Sequence, residues 1–214
     1  TNIHRGEGWQ ETFSTLEDYV LAVKAEVASQ SPYAIGLRLG NSAAQELCDP
    51  RHDNLGAFRR WLDRNNCYVF TINGFPYGNF HGKRVKEQVY VPDWSSRERL
   101  EYTKRLFDII AELVPEGIQG SVSTLPGSFK EFITDGKAQG DAIIDNLAEC
   151  SEHILGLAES TGKDLHLGLE PEPLGWFETS EETVAFFERF RERKGRGFDR
   201  VLGVNYDTCH LAVE

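Results

Sequence analysis

The stretch DLHLGLEPEP at residues 164–173 decides the fold of this chain, because its side chains alternate and then end on two carboxylates. Leucine occupies every second position, and the positions between hold His166, Gly168 and Glu170. A period of two residues is typical of a β-strand. Strands of a doubly wound sheet meet helices on both faces and are apolar throughout. A strand with one aliphatic face and one small or polar face therefore indicates the wall of a barrel.

Strand-like and helix-like segments alternate along the whole chain. Residues 1–4 have the pattern of the end of a strand. Further strand patterns occur at residues 33–40, 67–74, 120–127, 164–173 and 200–207, with helical spacing between them. This alternation predicts an α/β fold with a parallel sheet. With the polar strand faces, it predicts a (β/α)8 TIM barrel of which about six βα units are present, as a single domain over residues 1–214.

Three segments have the S/T-x-x-E spacing of a capping box, which predicts that a helix begins there. They are residues 14–17, 95–98 and 179–182.

The two ends of the chain interrupt the barrel pattern. The chain contains no methionine, starts on a pattern typical of the end of a strand, and stops four residues after Asp207-x-x-His210. We therefore expect an excerpt that lacks the C-terminal units of the barrel. Unpaired edge strands recruit other chains, so we expect these 214 residues alone to be unstable or oligomeric.

The composition excludes several classes of protein. The formal net charge is −11, and nucleic-acid binding needs clustered Lys and Arg, so no nucleic acid is expected as a partner. No apolar run reaches the ~20 residues of a membrane span. The four cysteines have no metal-binding spacing and are predicted to be unpaired core thiols of a cytoplasmic protein.

Polar residues gather at the predicted C-terminal ends of the strands, where barrel enzymes build their active sites. Glu170 and Asp207 follow neighbouring strands, which lie about 4.8 Å apart in a sheet. Two such carboxylates can share one divalent cation, with Mn, Mg, Co and Zn all open. Glu170, or a carboxylate near it, is also the predicted proton carrier, and His210 is predicted to hold a substrate hydroxyl. The predicted substrate-binding residues are His4, Arg38, Asn73 and His81; a lone histidine such as His4 or His81 can equally be a structural, hydrogen-bonded group.

The segment at residues 73–94 is too long for a simple βα turn and is rich in glycine and aromatic residues. Such a segment can cover the cavity and stack on sugar carbons. It can equally be a structural loop that packs over the rim of the barrel.

The order of a strand-end Glu and then Asp-x-x-His resembles the xylose-isomerase-like superfamily of TIM barrels. More closely, TNIHRGEGW, FTINGFPYGNFHG, VKEQVYVPDW and VNYDTCHLAVE resemble the EboE family of metabolite-traffic proteins within it. The resemblance covers essentially the whole chain. It implies that Glu170 and Asp207 are metal ligands and that His210 contacts substrate. It also implies a further His and a further carboxylate ligand on strands seven and eight, beyond the end of this sequence.

Three functions follow from these patterns. The leading one is a metal-dependent isomerase or epimerase that acts on a polyhydroxylated small molecule, a sugar or a sugar phosphate. The second is a barrel that binds or escorts a metabolite without turnover, as the EboE resemblance implies, so whether the protein is an enzyme is open. The third, phosphodiester cleavage of the endonuclease IV type, needs several metals and fits poorly with the charge of −11.

Overall fold

A computed structural model describes residues 6–78 and 86–212. The described strands are β1 (Tyr33–Arg38), β2 (Cys67–Asn73), β3 (Gly120–Thr124), β4 (Leu165–Leu169) and β5 (Leu202–Val204). The α-helices are α1 (Trp9–Thr15), α2 (Leu21–Val27), α3 (Asn41–Leu47), α4 (Asn54–Arg64), α5 (Arg97–Leu113), α6 (Ala138–Thr161), α7 (Ser180–Lys194) and α8 (Thr208–Leu211). A π-helical turn, Leu16–Val20, joins α1 to α2, and two 3-10 turns span Lys86–Tyr90 and Lys130–Phe132.

The five strands form one sheet in the order β1-β2-β3-β4-β5, and every neighbouring pair is parallel. Strand order therefore follows chain order, as in a barrel and unlike a doubly wound sheet. This confirms the predicted α/β class with its sequential parallel sheet. The predicted strand at residues 1–4 lies outside the described residues.

The two faces of the sheet differ as the sequence pattern predicts. Leu165, Leu167 and Leu169 are at most 1% exposed and belong to the apolar core that the helices cover. Burying a leucine side chain contributes about 1.5–3 kcal/mol to stability. The opposite face lines an open hollow of about 480 Å³ whose walls include Thr71, Ser121, Ser123, His166 and Gly168.

The first helix begins earlier than the capping pattern at residues 14–17 predicts. It starts at Trp9, so that pattern lies inside the helix and the predicted start is wrong. The cap is tertiary instead, because the Trp9 N–H donates to Glu46 Oε2 at 2.7 Å from α3.

The other two capping patterns lie at helix starts. Thr179 and Glu182 form a complete capping box at α7. At α5 the cap is Ser96, whose Oγ accepts from the Glu98 N–H, whereas Ser95 bonds to Asp93.

The cysteines are all free, but they are not all in the core. Cys67 and Cys150 are buried and Cys48 is intermediate. Cys209 is exposed, so the expectation of core thiols is wrong there, because its short helix, α8, follows the sheet edge and buries none of its residues. Among the described residues, no helix has the length and apolar character that crossing a membrane requires.

Candidate metal centre

Three side chains meet at the C-terminal edge of β4 and β5. Glu170 directly follows β4, and its N–H donates to Thr124 O of β3 at 2.9 Å, which keeps it in the sheet. Asp207 is the N-cap of α8, and its Oδ1 accepts from the N–H groups of Cys209 and His210 at 2.7 and 3.3 Å. One ligand atom each of Glu170, Asp207 and His210 lies within 4.8 Å of the others.

Each of these three side chains uses one polar atom to fix its orientation. Asn205 Nδ2 donates to Glu170 Oε2 at 2.6 Å, and backbone N–H groups hold Asp207 Oδ1. His210 Nδ1 lies 3.1 Å from Pro171 O, which can only accept, so in the neutral imidazole Nδ1 carries the proton and Nε2 the lone pair. The atoms that remain are Glu170 Oε1, Asp207 Oδ2 and His210 Nε2. Outer hydrogen bonds of this kind are what orient metal ligands in proteins.

The two carboxylates have opposite electrostatic environments. Burial raises the pKa of Glu170, and its hydrogen bond from Asn205 and the nearby His210 only partly oppose the effect. The backbone N–H of Cys209 is the main cause that lowers the pKa of Asp207. A cation beside Glu170 would offset the desolvation of its charged form.

The donor set fits a divalent cation. Two carboxylate oxygens and one imidazole nitrogen suit Zn²⁺, Mn²⁺ or Co²⁺, whereas Mg²⁺ prefers oxygen ligands throughout. Three protein donors leave coordination positions open for water or substrate oxygens, as in catalytic metal sites.

A pocket of about 250 Å³ adjoins this group, and we call it the mouth pocket. Its lining residues are Arg38, Asn73, Phe75, Pro76, Val89, Glu170, Glu172 and His210. Arg38 Nη2 donates to Gly6 O at 3.0 Å, and Asn73 Oδ1 accepts from the Phe75 N–H at 3.0 Å. The structure thus brings Arg38 and Asn73, both predicted to bind substrate, to the same pocket as Glu170 and His210.

Two predicted substrate-binding residues, His4 and His81, lie outside the described residues. In the segment at 73–94, Phe75 and Val89 line the mouth pocket, while Tyr90 and Trp94 are 3% and 0% exposed. The described part of the segment therefore both packs on the rim and forms a wall of the pocket.

The roles of two residues of this site, Asn205 and Tyr90, were not predicted from the sequence. Asn205 lies on the polar face of the strand pattern at 200–207, the face that also carries Asp207, and this placement could have identified it as a site residue. Tyr90 donates its hydroxyl hydrogen bond to Glu172 Oε1. Burial, followed by this hydrogen bond, raises the pKa of Tyr90. The aromatic composition of the segment at 73–94 includes Tyr90, but no local pattern points to its contact with Glu172, because the two residues are 82 positions apart.

Comparison with protein-family models and with curated proteins gives no match. Solved structures do match in fold. A xylose isomerase domain protein from Planctomyces limnophilus is 14% identical with a TM-score of 0.51, over 89% of this chain and 58% of that one. The probable 3-DHS dehydratase AsbF involved in petrobactin synthesis, from Bacillus anthracis, is 12% identical with a TM-score of 0.51, over 83% of this chain and 54% of that one.

A third structure, described as the IolI protein with a binding zinc atom, is 16% identical over 80% of this chain and 53% of that one. Its TM-score is 0.47. The chain spans little more than half the length of the structures that it matches. Over that span, it has the α/β fold of the xylose-isomerase-like TIM barrels.

Proposed function

We propose that this chain carries the metal-binding part of an isomerase or epimerase site for a polyhydroxylated small molecule. The convergence of Glu170, Asp207 and His210 within 4.8 Å, beside the mouth pocket, carries this proposal. Strand-end acids around an open coordination position are what a reaction at neighbouring substrate oxygens needs.

Each residue has a role that follows from its position. Glu170 and Asp207 would hold a divalent cation, which polarises two neighbouring oxygens of the substrate when it is bound. His210 would hold a substrate hydroxyl through Nε2. Glu170, or Glu172 in the same pocket, would carry a proton between substrate carbons. Arg38 and Asn73 would contact the far end of the substrate.

The metal can be tested directly. Calorimetric titration of the protein with Mn²⁺, Zn²⁺ and Mg²⁺ should show one site for a divalent cation. Glu170→Gln and Asp207→Asn should each weaken binding at least tenfold, about 1.4 kcal/mol. Glu181→Gln, an exposed glutamate on α7, is the matched control. A wild-type protein that binds none of the three ions contradicts the proposal.

The EboE resemblance supports a second candidate, a barrel that binds or escorts a metabolite without turnover. Isomerases that move a carbon-bound proton exchange it with solvent. Metal-loaded protein incubated with ketoses in D₂O should therefore incorporate deuterium into the sugar. The loss of the corresponding proton NMR signal measures this exchange. Saturable binding without exchange would favour the escort function.

The third candidate, phosphodiester cleavage with several metals, is less well supported. The parts of the chain that the structure describes bring together a single group of three ligand residues.

A further inference from the structure

A fully buried arginine lies behind the mouth pocket. Arg99 is in α5 and is 0% exposed. Its Nη1 donates to Gly74 O at 2.8 Å and to Phe75 O at 2.9 Å, and its Nε donates to Pro92 O at 2.7 Å. These carbonyls lie at the two ends of the segment that connects β2 to α5. One side chain therefore ties both ends of that segment to the helix.

This arrangement is unusual for a buried cation. Among the described residues, no carboxylate accepts a hydrogen bond from Arg99, and Nη2 has no hydrogen-bond partner. The guanidinium lies instead over the rings of Tyr77 and Tyr102, 5.7 and 5.5 Å from their centroids. Desolvation lowers the pKa of Arg99 to about 10, so it remains charged at pH 7. An apolar side chain would avoid this desolvation, which indicates that the donors of Arg99 do more than fill space.

Tyr102 extends the same contact along α5. It lies one turn after Arg99, so both side chains leave one face of the helix. Its hydroxyl is within hydrogen-bond distance of Leu39 O and, at 3.3 Å, of Pro76 O. Arg99 and Tyr102 together therefore contact the carbonyls of residues 74, 75 and 76 in succession. We call this pair the carbonyl clamp.

The backbone in the clamp packs closely against both α5 and β3, with no room for a side chain at Gly74. A Cβ added at Gly74 would lie 2.6 Å from Leu106 Cδ1 and 3.1 Å from Ser123 O. The Gly74 N–H also donates to Ser123 O at 2.9 Å. The chain at residue 74 is thus fixed from the helix side by Arg99 and from the sheet side by β3.

The clamped backbone is one wall of the mouth pocket. Phe75 and Pro76 line that pocket directly. Asn73 and Arg38 also line it, and each directly precedes a residue whose carbonyl the clamp contacts, Gly74 and Leu39. This wall follows β1 and β2, whereas the candidate ligands Glu170, Asp207 and His210, which we call the metal group, follow β4 and β5.

We propose that Arg99 and Tyr102 are positioning residues that set the distance between the β1–β2 wall and the metal group. Their role is to let one polyhydroxylated ligand contact both. This inference rests on the proposed function. It extends that function by assigning an effect on ligand affinity to residues that touch neither metal nor ligand.

The clamp predicts that ligand affinity and metal affinity respond differently. No hydrogen bond or ion pair joins Glu170, Asp207 or His210 to Arg99 or Tyr102, so their metal affinity should survive loss of the clamp. A displaced wall should lose contacts to the ligand, and misplacements near 1 Å can reduce an enzyme's performance by about a hundredfold.

The experiment compares Tyr102→Phe and Arg99→Lys with the wild type. Tyr102→Phe keeps the ring and removes only the hydroxyl, so it tests the clamp even if Arg99→Lys fails to fold. Tyr33→Phe, which removes the same atom at the opposite end of β1, is the matched control. Three quantities are measured: Mn²⁺ affinity, affinity of the Mn²⁺-loaded protein for the neutral polyol xylitol, and the rate of trypsin cleavage after Lys86.

In both clamp variants, Mn²⁺ affinity should stay within twofold of the wild type. Xylitol affinity should fall about tenfold, and cleavage should accelerate about tenfold, as for loss of one or two buried hydrogen bonds. Unchanged xylitol affinity overturns the inference, as does an equal fall in both affinities, which a general loss of structure would cause. A wild type that binds no Mn²⁺ contradicts the proposed function alone. Unchanged cleavage in both variants would then overturn the clamp.

Discussion

At the scale of single residues, His210 occupies the position where a cation and a substrate hydroxyl would meet. Its Nδ1 is 3.1 Å from Pro171 O, and its Nε2 is 3.8 Å from Asp207 Oδ2. Both nitrogens therefore lie near a carboxylate, since Nδ1 is also 4.0 Å from Glu170 Oε1. With Nδ1 donating to the Pro171 carbonyl in the neutral imidazole, Nε2 is the nitrogen that can accept. Such an atom can ligate the ion or accept a hydrogen bond from a hydroxyl bound to it.

Replacing His210 separates these two roles. We expect His210→Ala to lower Mn²⁺ affinity less than tenfold, because both carboxylates remain. It should lower the affinity of the Mn²⁺-loaded protein for xylitol about tenfold, because one hydrogen bond to substrate is lost. Calorimetry measures both, with Cys209→Ala as the neighbouring control. If Mn²⁺ affinity falls as far as in Asp207→Asn, His210 is a metal ligand instead.

The sequence is informative about residues whose position depends on strand phase alone. Glu170 and Asp207 follow neighbouring strands in which apolar and polar side chains alternate, so their meeting at one edge of the sheet could be predicted. Tyr90, Arg99 and Tyr102 could not be predicted in the same way. Their partners are a carboxylate and loop carbonyls between 7 and 82 residues away, and only the folded path of the segment after β2 brings them together.

At the scale of elements, α7 is fixed at its first turn by a capping box. The Glu182 N–H donates to Thr179 Oγ1 at 3.2 Å, and the Glu182 carboxylate accepts from the Thr179 N–H. We expect Thr179→Ala to lower the free energy of unfolding by about 1 kcal/mol. Urea denaturation measures this change, and Thr179→Ser, which keeps the hydroxyl, should be close to wild type. Equal stability of the Ala and Ser variants would contradict the role of the cap.

Helices α6 and α7 are joined by ion pairs. Asp141 of α6 accepts from Arg189 at 2.9 Å and pairs with Arg193 at 2.8 Å. Hydrogen bonds from Lys137 and then Arg189 lower the pKa of Asp141 from 3.8 to about 2. A depressed folded-state pKa contributes stability that is present above the unfolded pKa and is lost as pH falls through the folded one.

The stability from Asp141 should therefore be complete above pH about 4 and decrease towards pH 2. Asp141→Asn should be less stable than the wild type at pH 7, and the difference should shrink between pH 4 and pH 2. Urea midpoints at pH 7, 4 and 2.5 measure it, with Asp63→Asn, at an exposed position of α4, as the control. A constant difference across this range would show that the ion pairs contribute nothing.

The local sequence is sufficient to predict where some helices begin but not others. The capping box of α7 lies within four residues of sequence and could be predicted. The start of α1 could not, because its cap is the Glu46 carboxylate of α3, 37 residues away. Helix α3 itself was not predicted, since its seven residues are too few to show a helical period.

At the scale of the whole molecule, the described sheet is open. Strand β1 pairs only with β2, and β5 pairs only with β4, among the residues that the structure describes. Apolar side chains are exposed along the first helical segment and near β5. Tyr19, Val23 and Val27 are 54%, 49% and 69% exposed at four-residue intervals along the first helical segment. Near β5, Val204 and Tyr206 are 40% and 65% exposed. The sequence predicted the parallel order of the sheet, but local periodicity contains no information on what covers its edges.

Open edges and exposed apolar stripes favour association between chains, with each Å² of apolar surface removed from water contributing roughly 25 cal/mol. We expect the 214-residue chain to self-associate, with a sedimentation coefficient that rises with protein concentration. Val23→Lys with Val27→Lys should shift the protein towards monomer if the helical stripe is the contact. Val204→Lys with Tyr206→Lys should do so if the β5 edge is. Exposed Lys substitutions on α4, at Asp63 and Arg64, control for the change in net charge. A wild-type protein that remains monomeric from 1 to about 100 μM, a range that spans ~2.7 kcal/mol of association free energy, would show that neither edge drives association.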